Sequence, residues 1–365
     1  VADRLREAGL VLVGKTTMPD FGMLSSGQSS LHGVTRNPWQ LTRNPGGSSS
    51  GAGAACAAGY GPLHIGTDIG GSIRLPASFC GIFGLKPSLG RVPINPPYMG
   101  RVAGPMTRTV LDAALLMNVI AQPDPDHRDF MNLPSQNVDY VAELERFTLK
   151  GKRIGVLTDL RVGREVQADV AAAAWDCGQL LERQGARVEP MQPFITRDML
   201  DGICGFFEAR SHLDIARLPE ATRAKILPFI VRWATWRASK FSGDTVMAFY
   251  AQVMAMREAT VKATHGFDFI ITPTCPIPAF EAEYCCPDND PEQALEHIAF
   301  TVPYNMSEQP AASINWSYST QKRTMGLPIG VQVAGRRFDD LGVLQLSRVI
   351  EQIRPAQRPW PVHVG

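Results

Sequence analysis

The chain has 365 residues, 44% hydrophobic and 19% charged, with 36 Lys and Arg against 35 Asp and Glu for a net charge of +1. This composition is that of an ordinary globular protein, long enough for two small domains or one large α/β unit, and its balanced charge gives no general attraction to nucleic acid or an anionic membrane. The seven cysteines are scattered, without CxxC or Cys/His spacing for zinc, and no stretch reads as a membrane span or signal peptide. A reducing, cytoplasmic compartment is expected, with no metal and no cofactor.

In chain order, Val1, Leu5 and Leu10 read as the end of an amphipathic helix, and Leu10 to Val13 as a buried strand. A chain opening on Val1 inside a helix reads as one that lacks its N-terminal segment. Residues 35–90 are rich in glycine, serine, alanine and proline, a composition shared with linkers. They also hold Trp39, Ile65, Phe79 and Phe83 at short intervals, which predicts an ordered segment. Within it, 51–60 is almost all alanine, glycine and cysteine, suited to a helix packed closely on a sheet. Residues 107–121 predict a helix capped by Thr107 or Thr109.

The stretch 151–159 reads as a strand, about 166–184 as a helix and 186–191 as a second strand, a βαβ rhythm that argues for a parallel or mixed sheet with helices on its faces. Residues 197–262 are mostly helical by spacing. Buried strands follow at 267–276 and 327–335, and a helix at 340–352. No repeat and no clear linker appears, so 1–365 reads as a single domain.

Four glycine and serine patterns compete for the chemistry. The "GAG" at 51–53 lacks the third glycine and the preceding strand of a dinucleotide site, and no Gly-Lys-Ser/Thr completes a P-loop. Gly47-Ser48-Ser49-Ser50-Gly51 fits G-x-S-x-G, which makes Ser49 an α/β-hydrolase-type esterase nucleophile, but "LTRNPG" is a poor strand to lead into that elbow. The fourth pattern pairs "GGSS" at 46–49 with "TDIGGS" at 67–72. Glycines before Ser72 let successive N–H groups converge on an oxyanion. Two tight turns with satisfied hydroxyls explain the same composition, and both readings stand on the residues alone.

"NPGGSSSGAGAACAAG" with "GTDIGGSIRLPASFCGIFGLKPSLGRVP" resembles the amidase signature family. "GKTTMPDFG", "TRNPW", "GPMTRTVLDAALLMNVIA", "FDFIITPTCPIPAF" and the closing 300–340 region extend the likeness over essentially the whole chain. It implies an α/β fold, a large mixed β-sheet flanked by helices on both faces, and a Ser–cis-Ser–Lys triad. Ser72 becomes the nucleophile, and Ser48, on a cis peptide after Gly47, the proton relay. A lysine held neutral by desolvation becomes the base. The N–H groups of Ile69, Gly70, Gly71 and Ser72 form the oxyanion hole, and Ser49, Thr67, Asp68 and Arg74 hold the loops. Asp68 and Arg74 read better as an ion pair that shapes the turn than as substrate contacts. Lys15 matches a non-catalytic lysine of the family, whose catalytic lysine lies further upstream than the 47 residues before Ser48.

The resemblance thus implies a stand-alone amidase, acting on a small-molecule amide through an acyl-serine, with homodimerisation left open. The alternative is the glutaminase subunit of a tRNA-dependent amidotransferase; "TDIGGSIRLPA" looks more like the stand-alone group. The stretch 313–326 departs from the family's proline-containing turn. Trp233, Trp236, Phe241, Phe249 and Tyr250, at helical spacing, read as core more readily than as an acyl pocket.

Overall fold

A computed structural model describes residues 1–126 and 128–361. Strands β1 (Gln28–Ser29) and β2 (Gly33–Val34) form a small antiparallel ribbon. Eight more make one sheet: β3 (Leu63–Asp68), β4 (Phe83–Lys86), β5 (Val102–Thr107), β6 (Arg153–Val156), β7 (Arg187–Pro190), β8 (Phe269–Pro273), β9 (Ala311–Tyr318) and β10 (Pro328–Gly335). Their order is β3-β5-β4-β9-β10-β8-β6-β7. Pairing is parallel at β6–β7 and β6–β8 and antiparallel elsewhere, so the sheet is mixed.

The helices are α1 (Ala2–Glu7), α2 (Ser50–Ala58), α3 (Arg74–Cys80), α4 (Val110–Ile120), α5 (Tyr140–Glu143), α6 (Ala168–Arg183), α7 (Arg197–Ala216), α8 (Glu220–Arg223), α9 (Pro228–Thr235), α10 (Gly243–Thr264), α11 (Val302–Met306) and α12 (Asp340–Ile353). On one face, Val110 of α4, Val170 of α6 and Val343 of α12 join Leu85, Ile271 and Val331 of the sheet in one core. On the other, Leu75 and Phe79 of α3 meet Ile203 of α7, Ile230 of α9 and Met256 of α10 in a second. Helices therefore cover both faces, and β8 and β10 are buried at every position, which is why they read as unbroken apolar runs. Among the described residues no helix is long and apolar enough to cross a membrane.

One expectation changes, and one choice between alternatives is decided. Leu10 to Val13 form no strand, and Val11 and Val13 are 87% and 97% exposed, because no strand edge lies beside them to pair with. The cap of α4 is Thr109, whose hydroxyl accepts from Asp112 N at 3.1 Å; Thr107 instead ends β5, its hydroxyl donating to Thr109 O at 2.7 Å. The βαβ rhythm of β6, α6 and β7 is present as a parallel crossover.

Because the Thr109 side chain satisfies an amide that the helix leaves unpaired, Thr109→Ala should cost about 1 kcal/mol of stability. Chemical denaturation should show a lower midpoint with an unchanged slope; an unchanged midpoint would mean the cap contributes nothing.

Candidate active site

Two loops meet at one end of β3. The first, which leads into α2, carries a cis peptide at Gly47–Ser48. Gly47 has no room for a side chain: a Cβ there would lie 2.5 Å from Ser26 N and 2.6 Å from Ser26 O. Ser48 is buried, and a Cβ on Gly22 would stand 3.7 Å from its Oγ, so the hydroxyl faces the segment around Gly22. The second loop runs from Asp68 at the end of β3 to Arg74 at the start of α3, with Ser72 half-buried.

Ser49 fastens the loops together. Its N–H donates to Ser72 O at 3.2 Å; its hydroxyl donates to Thr67 O at 3.2 Å and accepts from Thr67 N at 3.1 Å. That hydroxyl is bound on both sides by main chain, and residues 43–48 form no strand. Both facts correct the alternative of Ser49 as an α/β-hydrolase nucleophile and leave Ser49 and Thr67 as supports. Behind them α2 lies close to α3: a Cβ on Gly53 would touch Pro76 at 3.0 Å.

Asp68 and Arg74 organise the second loop from a position that water does not reach. The Asp68 carboxylate accepts from Gly71 N at 2.8 Å, Ile73 N at 3.1 Å, Asn305 Nδ2 at 2.8 Å and Arg74 Nη2 at 2.9 Å and Nε at 3.0 Å. Arg74 donates further to Thr301 O at 2.8 Å, Gln332 Oε1 at 2.7 Å and Asn305 Oδ1 at 2.6 Å. Burial alone pushes the Asp68 carboxyl up, but the Arg74 charge and the hydrogen bonds from Arg74 and Asn305 overcome it and hold the group at about 2.

This network corrects the set of oxyanion donors. The Gly71 N–H is taken by Asp68, whereas those of Ile69, Gly70 and Ser72 have no acceptor among the described residues. Gly71 matters for another reason: its φ is +136°, and a Cβ there would lie 2.6 Å from Thr301 Oγ1. Thr301 in turn donates to Gly70 O at 2.6 Å and fixes the plane of that peptide.

The residues that carry these unpaired amides, Ile69, Gly70 and Ser72, line a cavity, and Phe21 to Ser25, Phe207, Arg210 and Trp233 line it with them. Of the five aromatics weighed between core and acyl pocket, Trp233 alone lines this cavity; Phe241 and Phe249 pack edge to face on each other at 5.1 Å.

Lys15 is exposed and makes no hydrogen bond to Ser48. Sequence reasoning passed over Lys86, in "GLKPS", which is fully buried at the end of β4. Burial first, and the Arg74 charge second, push it down to about 7 against Asp68, Asp340 and Glu308. Its Nζ donates to Pro87 O at 2.9 Å and to neither serine. The signal was a lysine inside an otherwise apolar strand. Among the described residues no group of three or more His, Cys, Asp or Glu is placed to hold a metal.

The site thus holds a serine on a cavity wall, a second serine in the adjoining loop and unpaired amides next to the first, on a mixed α/β sheet. The chain belongs to the Amidase family, whose model matches residues 1–344. It is 34% identical to a glutamyl-tRNA(Gln) amidotransferase subunit of Synechococcus sp. (strain CC9902), over 98% of this chain and 77% of that protein. Among solved structures it is similar to a bacterial aryl acylamidase of the amidase signature enzymes (TM-score 0.85, 28% identity, 96% of this chain and 74% of that one). It is also similar to 6-aminohexanoate cyclic dimer hydrolase (TM-score 0.83, 30% identity, 97% and 77%).

Asp68→Asn would leave the Arg74 charge buried without its counter-ion, and should cost about 3–5 kcal/mol in a denaturant titration. The wild-type protein should also lose stability in acid over a set window. Below about pH 4 the unfolded chain protonates Asp68, while the folded chain does so only near pH 2, so this contribution is present above that window and fades as pH falls through it. An Asp68→Asn protein with the wild-type slope of stability against pH between 4 and 2 would contradict this.

Proposed function

We propose that the chain hydrolyses a carbon–nitrogen amide bond through an acyl-enzyme on Ser72. The observation that carries the reading is the half-buried Ser72 hydroxyl on the cavity wall, beside the unpaired N–H groups of Ile69, Gly70 and Ser72. Ser72 Oγ attacks the amide carbonyl and gives its proton to Ser48, which passes its own to a base. The family resemblance makes that base a lysine; Lys15 and Lys86 do not serve, since neither bonds to Ser48. The amides stabilise the oxyanion, where a single donor is typically worth about 10²–10³ in rate. The C–N bond breaks as the leaving nitrogen takes up a proton. Water then attacks the acyl ester, releasing the acid and restoring the Ser72 hydroxyl.

A second reading sets the same chemistry in an assembly, as the glutaminase subunit of a tRNA-dependent amidotransferase. The sequence relatives favour it: the Synechococcus protein, at 34% identity, is one component of such an amidotransferase. That weighs more than the resemblance of "TDIGGSIRLPA" to the stand-alone group. Assaying ammonia release from glutamine and from simple alkyl and aryl amides, with and without the partner proteins of an amidotransferase, separates the two. Glutamine turnover that appears only with partners supports the assembly; turnover of other amides without partners supports the stand-alone enzyme.

Ser72→Ala should abolish turnover and labelling by a fluorophosphonate, with an unchanged melting temperature, and peptide mapping of the wild-type adduct should place it on Ser72. Ser48→Ala should lower turnover by at least about 100-fold, as removal of a proton-transfer group does. A label on Ser49, or full activity without the Ser72 hydroxyl, would overturn the assignment.

A further inference from the structure

The catalytic reading leaves one feature of the cavity unused. Arg210 of α7 is the charged residue among those that line it; Phe21, Met23, Leu24, Phe207 and Trp233 give the lining an apolar character. Arg210 is only partly exposed and forms no ion pair and no hydrogen bond with any described residue. The acids of its own helix do not neutralise it. Glu208 is bound by Arg237, whose Nε donates to Oε2 at 3.0 Å, and Asp214, one turn further on, is exposed and makes no ion pair with it.

A second unpaired guanidinium stands beside the first. Arg210 Cζ lies 4.8 Å from the centroid of the Tyr98 ring, and Arg101 Cζ lies 5.7 Å from the same centroid. Arg101 donates to Pro96 O through Nη2, but its Nε is buried without an acceptor, and it too forms no ion pair with a described residue. Burial, and then the neighbouring Arg210 charge, push Arg101 below its ordinary value. Two cations sharing one aromatic ring repel each other, and Tyr98 offers only its ring face as compensation. An anion reaching both would relieve the repulsion and accept from donors that now lack a partner.

We propose that Arg210, with Arg101 near it at the Tyr98 ring, is the anion-binding part of this cavity, and that the amide cleaved at Ser72 carries a carboxylate held there, separated from the scissile carbonyl by a hydrocarbon segment. The apolar residues that line the cavity with Ser72 and Arg210 suit such a segment, and the planar guanidinium fork suits a carboxylate. Arg210 is then a specificity residue, acting on which amide is cleaved and leaving the bond chemistry to the serines. This inference rests on the amide-hydrolase reading, and its test keeps the two apart.

The test compares succinamic, glutaramic and adipamic acids with butyramide, valeramide and hexanamide, the neutral primary amides of the same carbon counts. Within each pair, the ratio of kcat/KM reports the preference for the carboxylate. The wild-type protein should favour the acid at least tenfold for one chain length. Arg210→Gln should lower that ratio at least tenfold, and Arg210→Lys, which keeps the charge, should retain most of it. A ratio taken within one protein is insensitive to how much of a variant folds. Equal turnover of acid and neutral amides by the wild-type protein, or a ratio unmoved in Arg210→Gln, overturns the inference. If no amide is turned over, with or without the partner proteins of an amidotransferase, the hydrolase reading falls instead, and calorimetric binding of glutarate and adipate decides. Binding that Arg210→Gln abolishes and Arg210→Lys keeps upholds the anion site, and absence of binding to the wild-type protein sinks it.

Discussion

The buried Asp68–Arg74 pair is the constraint on which the site depends. Bringing two charges out of water is costly, and their attraction offsets the cost only when the remaining donors and acceptors are filled. Here they are filled from four directions: the loop's own amides, Thr301 and Asn305 around α11, Gln332 of β10, and the two side chains themselves. Each bond fixes one more part of the loop, until a single path remains for residues 68–74. The donors left over on that path, at Ile69, Gly70 and Ser72, are those the network does not consume. These free amides are in this sense a by-product of satisfying a buried carboxylate.

Close packing of small residues brings the second serine to this loop. Gly47 lies against the Ser25–Ser26 main chain, Gly53 against Pro76, and Gly66 has Ser49 Oγ where a side chain would begin. A composition shared with flexible linkers therefore serves the opposite end. With almost no side-chain bulk between α2, α3 and β3, the backbones approach closely enough for Ser49 to bond to both Thr67 and Ser72. The apolar residues interspersed in that stretch distinguish it from a linker: Phe79 and Phe83 are buried on opposite sides of the sheet.

How much of this could be read in advance depended on whether the signal was local. The strands at 269–273 and 328–335 showed as apolar runs because both their faces are covered. Leu10 to Val13 gave the same signal without a sheet edge to join, since an apolar run states a preference and not a partner. Strands β3, β4 and β5 were hidden by glycine and proline in "LHIGTD", "FGLK" and "VAGPMT". Pro105 pairs with Ile65 of β3, while β4 pairs only with Met106 and Thr107, so β5 is flanked on both sides only beyond its proline. The serine loops were legible through their glycines and the family resemblance. That the Gly71 amide belongs to Asp68 was not, because spacing places a residue in a loop without saying which way its N–H points.

The two arginines that face this site from either side show why composition is silent on specificity. Arg74 is fully buried and bonded to Asp68, Thr301, Gln332 and Asn305, so its charge is spent within the fold. Arg210 carries the same group, lines the cavity and is matched by no described residue. Both count equally toward a net charge of +1. A paired cation inside a protein shapes the backbone around it, whereas one without a counter-ion in an apolar recess keeps its attraction for whatever enters. Asp68, six residues away, and Asn305 and Gln332, far away in sequence, satisfy Arg74, whereas the neighbours of Arg210 are the Tyr98 ring and a second cation, Arg101, so only the folded chain separates the arginine that builds the loop from the one left without a partner.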